Sequence, residues 1–138
     1  MNANYAPICL FVYNRPLHTQ RTVEALLENT LSAKSDIFIF SDGAKNQSDL
    51  QKVKEVRRLI KSIVGFKHIS IVESNENHGL ANSIVSGVSD VIQRYGRIIV
   101  IEDDIVTSPL FLRFMNESLN LYNNDENVAS IHGYVYPI

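Results

Sequence analysis

Three acidic residues, Glu102, Asp103 and Asp104, directly follow an apolar run at residues 98–101. A short run of large aliphatic residues is typical of a strand that is buried on both faces of a parallel sheet. Adjacent carboxylates repel one another, and their charge is costly near a dry core unless a cation neutralises it. If the chain stays extended there, Glu102 and Asp104 point to one side and Asp103 to the other. This cluster could bind a divalent metal shared with a phosphate, and the alternative is an acidic strand end that faces solvent.

The composition is that of an ordinary globular domain. Hydrophobic residues make up 45% and charged residues 20% of the 138 residues, which is enough for one well-packed core. Lys and Arg total 13 against 15 acidic residues, a formal net charge of -2, so nucleic acid and anionic membranes are not expected as partners. No apolar run approaches the roughly 18 residues of a membrane span. The single cysteine, Cys9, lies inside an apolar run, and we expect a buried thiol in a cytoplasmic protein.

Apolar runs alternate with helical stripes along the chain, and they predict the elements that position the acidic cluster. Strands are expected at residues 7–13, 37–40, 69–72 and 98–101, with a fifth at 128–131, and helices at 18–31, 48–63, 80–95 and 108–122. Ser48 opens a capping-box pattern, and Ser108 before Pro109 is typical of a helix N-cap. The alternation predicts one α/β domain over residues 1–138, with a mostly parallel, Rossmann-like sheet that carries helices on both faces.

Ligands of such sheets bind outside the carboxyl ends of the strands, so the residues that follow each strand are the candidate site. They are Asn14 and Arg15 after the first strand, Ser41 and Asp42 after the second, Asn75, Asn77 and His78 after the third, and the acidic triplet after the fourth. Backbone N–H groups at the helix start after Gly79 would favour an anion. No glycine-rich phosphate loop follows any strand, so a phosphate would be held mainly through a metal.

Each of these residues also has a purely structural interpretation. Asp42 before Gly43 is typical of a turn, Asn77 of a helix cap, and Arg15 before a proline of a solvated loop. The histidines show no ligand spacing with one another, so a zinc site is not expected. A serine hydrolase is not expected either, since no Gly-x-Ser-x-Gly turn is present.

Taken together, the motifs resemble the nucleotide-binding half of a GT-A glycosyltransferase of the broad family-2-like group. The resemblance covers Pro7 to about Gly133 and includes an Asn-x-Gly-Leu-Ala segment at residues 77–81 that opens a helix. The Glu-Asp-Asp triplet takes the place of the Asp-x-Asp metal motif of most members. It and the residues after it are similar to the N-acetylglucosaminyltransferase I type.

The resemblance implies metal-dependent transfer of a sugar from a nucleotide-sugar donor, expected to be UDP-linked, to a saccharide or lipid-linked acceptor. Asp104 would bind Mn²⁺ or Mg²⁺, while Glu102 and Asp103 would hold metal-bound water, ribose hydroxyls or the sugar. The remaining donor contacts would come from Asn14, Arg15, Asp42, Asn77, Gly79 and Asn82. A role in cell-surface polysaccharide biosynthesis is expected, in the cytoplasm or at the inner face of the membrane through the acceptor.

Full enzymes of this type continue into a half that binds the acceptor and supplies the general base. We therefore expect this chain to be part of a longer enzyme, with no base assignable within it. Two alternatives stay open. A receiver-like signalling module carries its acidic pair after the first strand, where this chain has Asn14 and Arg15. A sugar-phosphate nucleotidyltransferase holds its nucleotide with a glycine-rich loop after that strand.

Overall fold

The computed structural model of the protein describes residues 5–134, and the first and last four residues of the predicted domain lie outside that description. Strands and helices alternate as the hydrophobic pattern predicts. The elements are β1 (Ile8–Val12), α1 (Pro16–Leu27), β2 (Asp36–Ser41), α2 (Gln47–Lys61), β3 (His68–Glu73), α3 (Leu80–Tyr95), β4 (Ile99–Glu102) and α4 (Phe111–Leu121), with a 3₁₀ turn at Ser32–Lys34. None of the described helices is both long and apolar enough to cross a membrane.

The four strands form one parallel sheet in the order β3-β2-β1-β4. The predicted α/β fold is confirmed. All five residues of the interior strand β1 are buried, so this strand is covered on both faces. The same expectation for β4 was wrong. Because β4 lies at the edge of the sheet, Ile99 and Ile101 are buried while Val100 between them remains 41% exposed.

Helices cover the two faces of the sheet unequally. The larger core lies beneath α1, α2 and α4, and its buried members include Leu10, Leu26, Ile39, Ile60, Ile101 and Leu112. The smaller core lies beneath α3 and consists of Cys9, Phe11, Phe38 and Val91, with Phe40 packed against them. Full burial of one such side chain stabilises the fold by about 1.5–3 kcal/mol relative to leaving it exposed. The two cores hold the carboxyl ends of the strands at one common edge.

The predicted fifth strand at residues 128–131 is wrong. Those residues are irregular and join no strand of the described sheet. Ile131 instead packs against the larger core. Its apolar side chain is thus partly buried without the backbone pairing that a strand needs.

Two predicted helix starts were also wrong. Asn46, not Ser48, caps α2, and its Oδ1 accepts a hydrogen bond from the Asp49 amide at 3.0 Å. That spacing of three residues is the one at which a side chain reaches the N3 amide of a helix. Helix α4 begins at Phe111 after a turn. The Phe111 amide donates to the Ser108 carbonyl rather than to a capping side chain.

Candidate functional site

A cleft of about 270 Å³ lies at the carboxyl ends of the strands. Its polar lining comes from Tyr13 and Arg15 after β1, Asp42 and Lys45 after β2, Asn77 and Gly79 after β3, and Glu102 and Asp103 at the end of β4. Parallel strands bring these residues together because all four strands end at the same edge. The cleft therefore contains carboxylates, two cations and the loop before α3.

The acidic triplet does not continue the strand. β4 ends at Glu102, and the chain turns at Asp103 and Asp104, so the predicted alternation of their side chains does not hold. Thr22 on α1 secures the turn by donating its hydroxyl to the Asp103 carbonyl at 3.0 Å. Glu102 and Asp103 line the cleft, and Asp103 is only 3% exposed. Asp104 is exposed and is not among the residues that line the cleft.

The Arg15 guanidinium bridges the last two acids of the triplet. Its Nη2 lies 2.9 Å from Asp103 Oδ1, and its Nη1 lies 3.2 Å from Asp104 Oδ2. The other oxygen of Asp103, Oδ2, is buried and has no hydrogen-bond partner among the described residues. Burial raises the pKa of Asp103 even though the Arg15 charge opposes that shift. Asp103 thus keeps one buried carboxylate oxygen whose hydrogen-bonding capacity no described residue uses.

Asp42 differs from Asp103 because its hydrogen-bonding capacity is already used. Oδ1 accepts from the amides of Gly43 and His78, and Oδ2 accepts from the Gly79 amide, each at 2.9 Å, and from the Asn77 side chain at 3.2 Å. Gly79 has a φ of 78°, a conformation that residues with a side chain rarely adopt. The His78 and Gly79 amides just before α3 are therefore bound by this protein's own carboxylate. The anion site expected at the amides after Gly79 stays a prediction.

Arg57 on α2 supports the backbone around Asp42. Its guanidinium donates to the carbonyls of Ser41 at 3.3 Å, Asp42 at 3.2 Å and Ser74 at 2.6 Å, and to the Ser41 hydroxyl at 3.1 Å. Gly43 allows the same loops to meet. A Cβ atom at Gly43 would lie 2.5 Å from the Glu76 carbonyl. The hydrogen bonds from Arg57 and the close approach at Gly43 thus hold the β2–α2 and β3–α3 loops against each other.

Two predicted donor-binding residues lie beside the cleft rather than in its lining. Asn14 donates its side-chain amide to Asp49 Oδ1 at 2.8 Å, at the start of α2. Asn82 donates to the His78 carbonyl at 3.0 Å and lines an adjoining groove of about 500 Å³. Both side chains are engaged in fixing loops and helix starts.

Several residues of the cleft were missed by the sequence motifs. The Tyr13 hydroxyl donates to Asp49 Oδ2 at 2.9 Å and accepts from the Lys45 amide at 2.9 Å, and burial raises the pKa of Tyr13. Phe11 and Phe40 form an apolar wall, with stacked rings 5.0 Å apart. Lys45 carried no motif signal. The two phenylalanines are paired by the register of β1 with β2, which the sequence does not reveal.

The comparison with known families decides which class of enzyme this cleft belongs to. The model of glycosyl transferase family 2 matches residues 8–136, nearly the whole chain. The chain belongs to glycosyl transferase family 2. It is thus a glycosyltransferase, a class that transfers a sugar from a donor to an acceptor, and the resemblance to this family is confirmed. No curated protein gives a significant match.

Membership of glycosyl transferase family 2 agrees with the parallel sheet and favours this class over the two alternatives. It also raises the question of a divalent metal. Among residues 5–134, no three His, Cys, Asp or Glu side chains stand close enough to form a ready metal site. The unpartnered Asp103 Oδ2 beside Glu102 does offer the hard oxygen ligands that Mg²⁺ and Mn²⁺ take. The family-2 cleft fits a metal that takes its remaining ligands from water and a substrate phosphate.

Proposed function

We propose that this family-2 domain binds a UDP-linked sugar together with Mn²⁺ or Mg²⁺ and supplies the donor side of a glycosyl transfer. One observation carries the proposal. Glu102 and Asp103 share a single cleft with Arg15 and Lys45. The acidic turn that would hold a metal and its bound water thus borders the same space as cations suited to a diphosphate.

The leaving group of such a transfer is a nucleoside diphosphate, whose growing negative charge must be stabilised. A divalent cation supplies that stabilisation as a Lewis acid and orients the phosphates. On the resemblance of the triplet to the N-acetylglucosaminyltransferase I type, Asp104 is the proposed metal ligand. Glu102 and Asp103 would hold metal-bound water, ribose or sugar hydroxyls. Arg15 would bind the diphosphate.

The nucleoside would lie against the loop before α3. Asn77 and Gly79 line that side of the cleft, and the stacked rings of Phe11 and Phe40 provide an apolar surface. Asp42 would order this loop through its four hydrogen bonds. Asn14 would act by orienting the start of α2, and Asn82 by holding the start of α3. The proposal leaves the general base and the binding of a saccharide or lipid-linked acceptor to residues other than these.

Calorimetry with UDP and UDP-sugars, with Mn²⁺ or with a chelator, tests the proposal. We expect UDP to bind in the presence of Mn²⁺ and Asp104→Ala to weaken that binding at least about tenfold, as loss of a metal ligand does. Glu117→Gln is a matched control, since Glu117 pairs with Arg113 on the exposed surface of α4. Equal binding of UDP in Mn²⁺ and in chelator, or unchanged binding by Asp104→Ala, would contradict metal dependence. Equal binding of ADP would contradict a uridine donor.

We further propose that the transfer contributes to cell-surface polysaccharide and takes place in the cytoplasm or at the inner face of the membrane. The role in polysaccharide synthesis is proposed because of the resemblance of the motifs to the family. The lone buried Cys9 agrees with a reducing compartment. Fractionation of cells that produce the protein, followed by immunodetection, checks the compartment. Recovery from outside the cytoplasmic membrane would contradict it.

A further inference from the structure

Arg15 lies where the acidic turn meets the cleft. It lines the cleft, and each of its two terminal nitrogens contacts a different carboxylate, Asp103 at 2.9 Å and Asp104 at 3.2 Å. A planar guanidinium presents its donors in a rigid fork, so each terminal nitrogen can hold one carboxylate in a fixed geometry. The proposed metal ligand Asp104 is therefore already paired with a cation of the protein.

A guanidinium and a divalent metal compete when they bind the same two carboxylates. Each neutralises their charge, and two cations held a few ångströms apart repel each other. A metal that arrives alone must therefore compete with Arg15 for Asp104. A diphosphate changes this balance, because arginine binds phosphate oxygens through two parallel charge-assisted hydrogen bonds.

The surroundings of Arg15 allow its side chain to exchange partners while its backbone stays in place. The Arg15 carbonyl accepts hydrogen bonds from the amide and the hydroxyl of Thr19, both at 2.9 Å, and Pro16 begins α1. The Arg15 side chain is 45% exposed, whereas that of Asp103 is 5% exposed. Only the guanidinium needs to move.

We propose that the Arg15 guanidinium neutralises Asp103 and Asp104 as long as no nucleotide is bound. When a nucleoside diphosphate binds this guanidinium, the two carboxylates are released to a divalent metal. This inference rests on the proposed function. It makes the metal–diphosphate complex, rather than the free metal, the species that the cleft selects. Metal and nucleotide then bind with positive coupling, so that each strengthens the binding of the other by the same factor.

The experiment measures Mn²⁺ binding through the free-ion electron paramagnetic resonance signal, with and without UDP. We expect Arg15→Gln to bind Mn²⁺ alone at least about threefold more tightly than the wild type, because the competing cation is gone. The factor by which UDP strengthens Mn²⁺ binding should fall at least about threefold, because the released guanidinium no longer assists the diphosphate. Arg113→Gln is the matched control, since Arg113 pairs with Glu117 and does not line the cleft.

Arg15→Lys keeps the proposal testable if loss of the ion pair prevents Arg15→Gln from folding. Lysine retains the charge but lacks the planar fork that holds one carboxylate on each terminal nitrogen, so its Mn²⁺ affinity should lie between those of the wild type and Arg15→Gln. Folding of each variant is checked by thermal denaturation. The proposal is overturned if the folded variants bind Mn²⁺ alone no more tightly than the wild type, or if coupling to UDP is unchanged. Failure of the wild type to bind UDP with Mn²⁺ would instead overturn the proposed function.

Discussion

Asp42 and Asp103 are both buried carboxylates of the same cleft, yet they differ in their hydrogen-bond partners. Asp42 accepts hydrogen bonds from three backbone amides and one side-chain amide. Asp103 has a guanidinium on one oxygen and no partner for the other among the described residues. A carboxylate whose acceptors are all used orders its neighbours, whereas one with an unpaired oxygen can take a ligand. Asp42 therefore orders its loops, whereas Asp103 is the buried carboxylate of the cleft with unused hydrogen-bonding capacity.

Replacing Asp42 with Asn tests its structural role. Asparagine keeps one acceptor oxygen but turns an NH₂ group toward backbone amides, so at least one of them loses its partner. We expect a loss of about 1–3 kcal/mol in the free energy of unfolding, measured by urea denaturation. Asp90→Asn is the control, because Asp90 pairs with Arg94 on the exposed surface of α3, and the substitution should cost under about 0.5 kcal/mol. Equal effects of the two substitutions would contradict the role of Asp42.

Cys9 gives a second prediction about a single residue. Burial disfavours the charged thiolate and raises the pKa of Cys9 to about 12. Because the thiolate is the reactive form, we expect no rapid reaction with a thiol reagent in the native protein at about pH 8. Full reaction should follow denaturation in urea, monitored by absorbance. Rapid stoichiometric labelling of the native protein would contradict the buried position in β1.

At the scale of the elements, the cleft depends on two loops that hold each other. The β2–α2 loop supplies Asp42 and Gly43, and the β3–α3 loop supplies residues 74–79, while Arg57 on α2 donates hydrogen bonds to both. The Gly43 amide donates to the Glu76 carbonyl at 3.2 Å. The nucleotide side of the proposed site is thus preorganised by hydrogen bonds between the two loops and from Arg57.

Gly43→Ala tests this contact between loops. The added Cβ would lie 2.5 Å from Glu76 backbone atoms, so the loops must separate, with an expected cost of about 1–3 kcal/mol in unfolding free energy. UDP binding, measured by calorimetry, should weaken as well. Gly96→Ala serves as a comparison, because Gly96 ends α3 with a φ of 75° and open space around it. It should cost about 1–2 kcal/mol through strain alone and leave UDP binding unchanged. UDP binding that is equal in both variants would contradict the role of the loop contact.

At the scale of the whole molecule, buried asparagines connect parts of the chain that are far apart in sequence. Asn116 on α4 accepts a hydrogen bond from the Ala6 amide at 2.8 Å, just before β1, and donates to the Leu112 carbonyl at 2.8 Å. Asn29 accepts from the Leu112 amide at 3.0 Å. These bonds fasten α4 to the start of β1 and to the end of α1.

Asn116→Ala should therefore destabilise the whole fold. Its loss leaves the buried Ala6 amide without an acceptor, which costs about 1–3 kcal/mol. Urea denaturation should show one cooperative transition shifted to lower urea concentration. Asn124→Ala, at an exposed position in the turn after α4, is the control and should be near neutral. A shift confined to local fraying of α4, with global stability unchanged, would contradict this connection.

The sequence predicted the elements well where one hydrophobic period dominates. Continuous apolar runs predicted all four strands, and helical stripes predicted all four helices, because burial of a face requires those periods. The sequence-based prediction was wrong where more than one backbone conformation allows a residue to pack, or where more than one residue can cap a helix. Ile131 packs on the core without pairing, and Asn46 replaces Ser48 as the cap of α2. Both outcomes depend on neighbours that local propensity does not include.

By itself the sequence determined which residues follow each strand, because a parallel sheet gathers all strand ends at one edge. Only the tertiary structure decided what those residues do there. Arg15 and Asp104 are separated by 89 positions, and their contact depends on β4 lying beside β1. The edge position of β4, the engagement of Asp42 and the free oxygen of Asp103 likewise depend on strand order and packing. Such long-range contacts carry no periodic signal, since the residues that make them are brought together only when the chain folds.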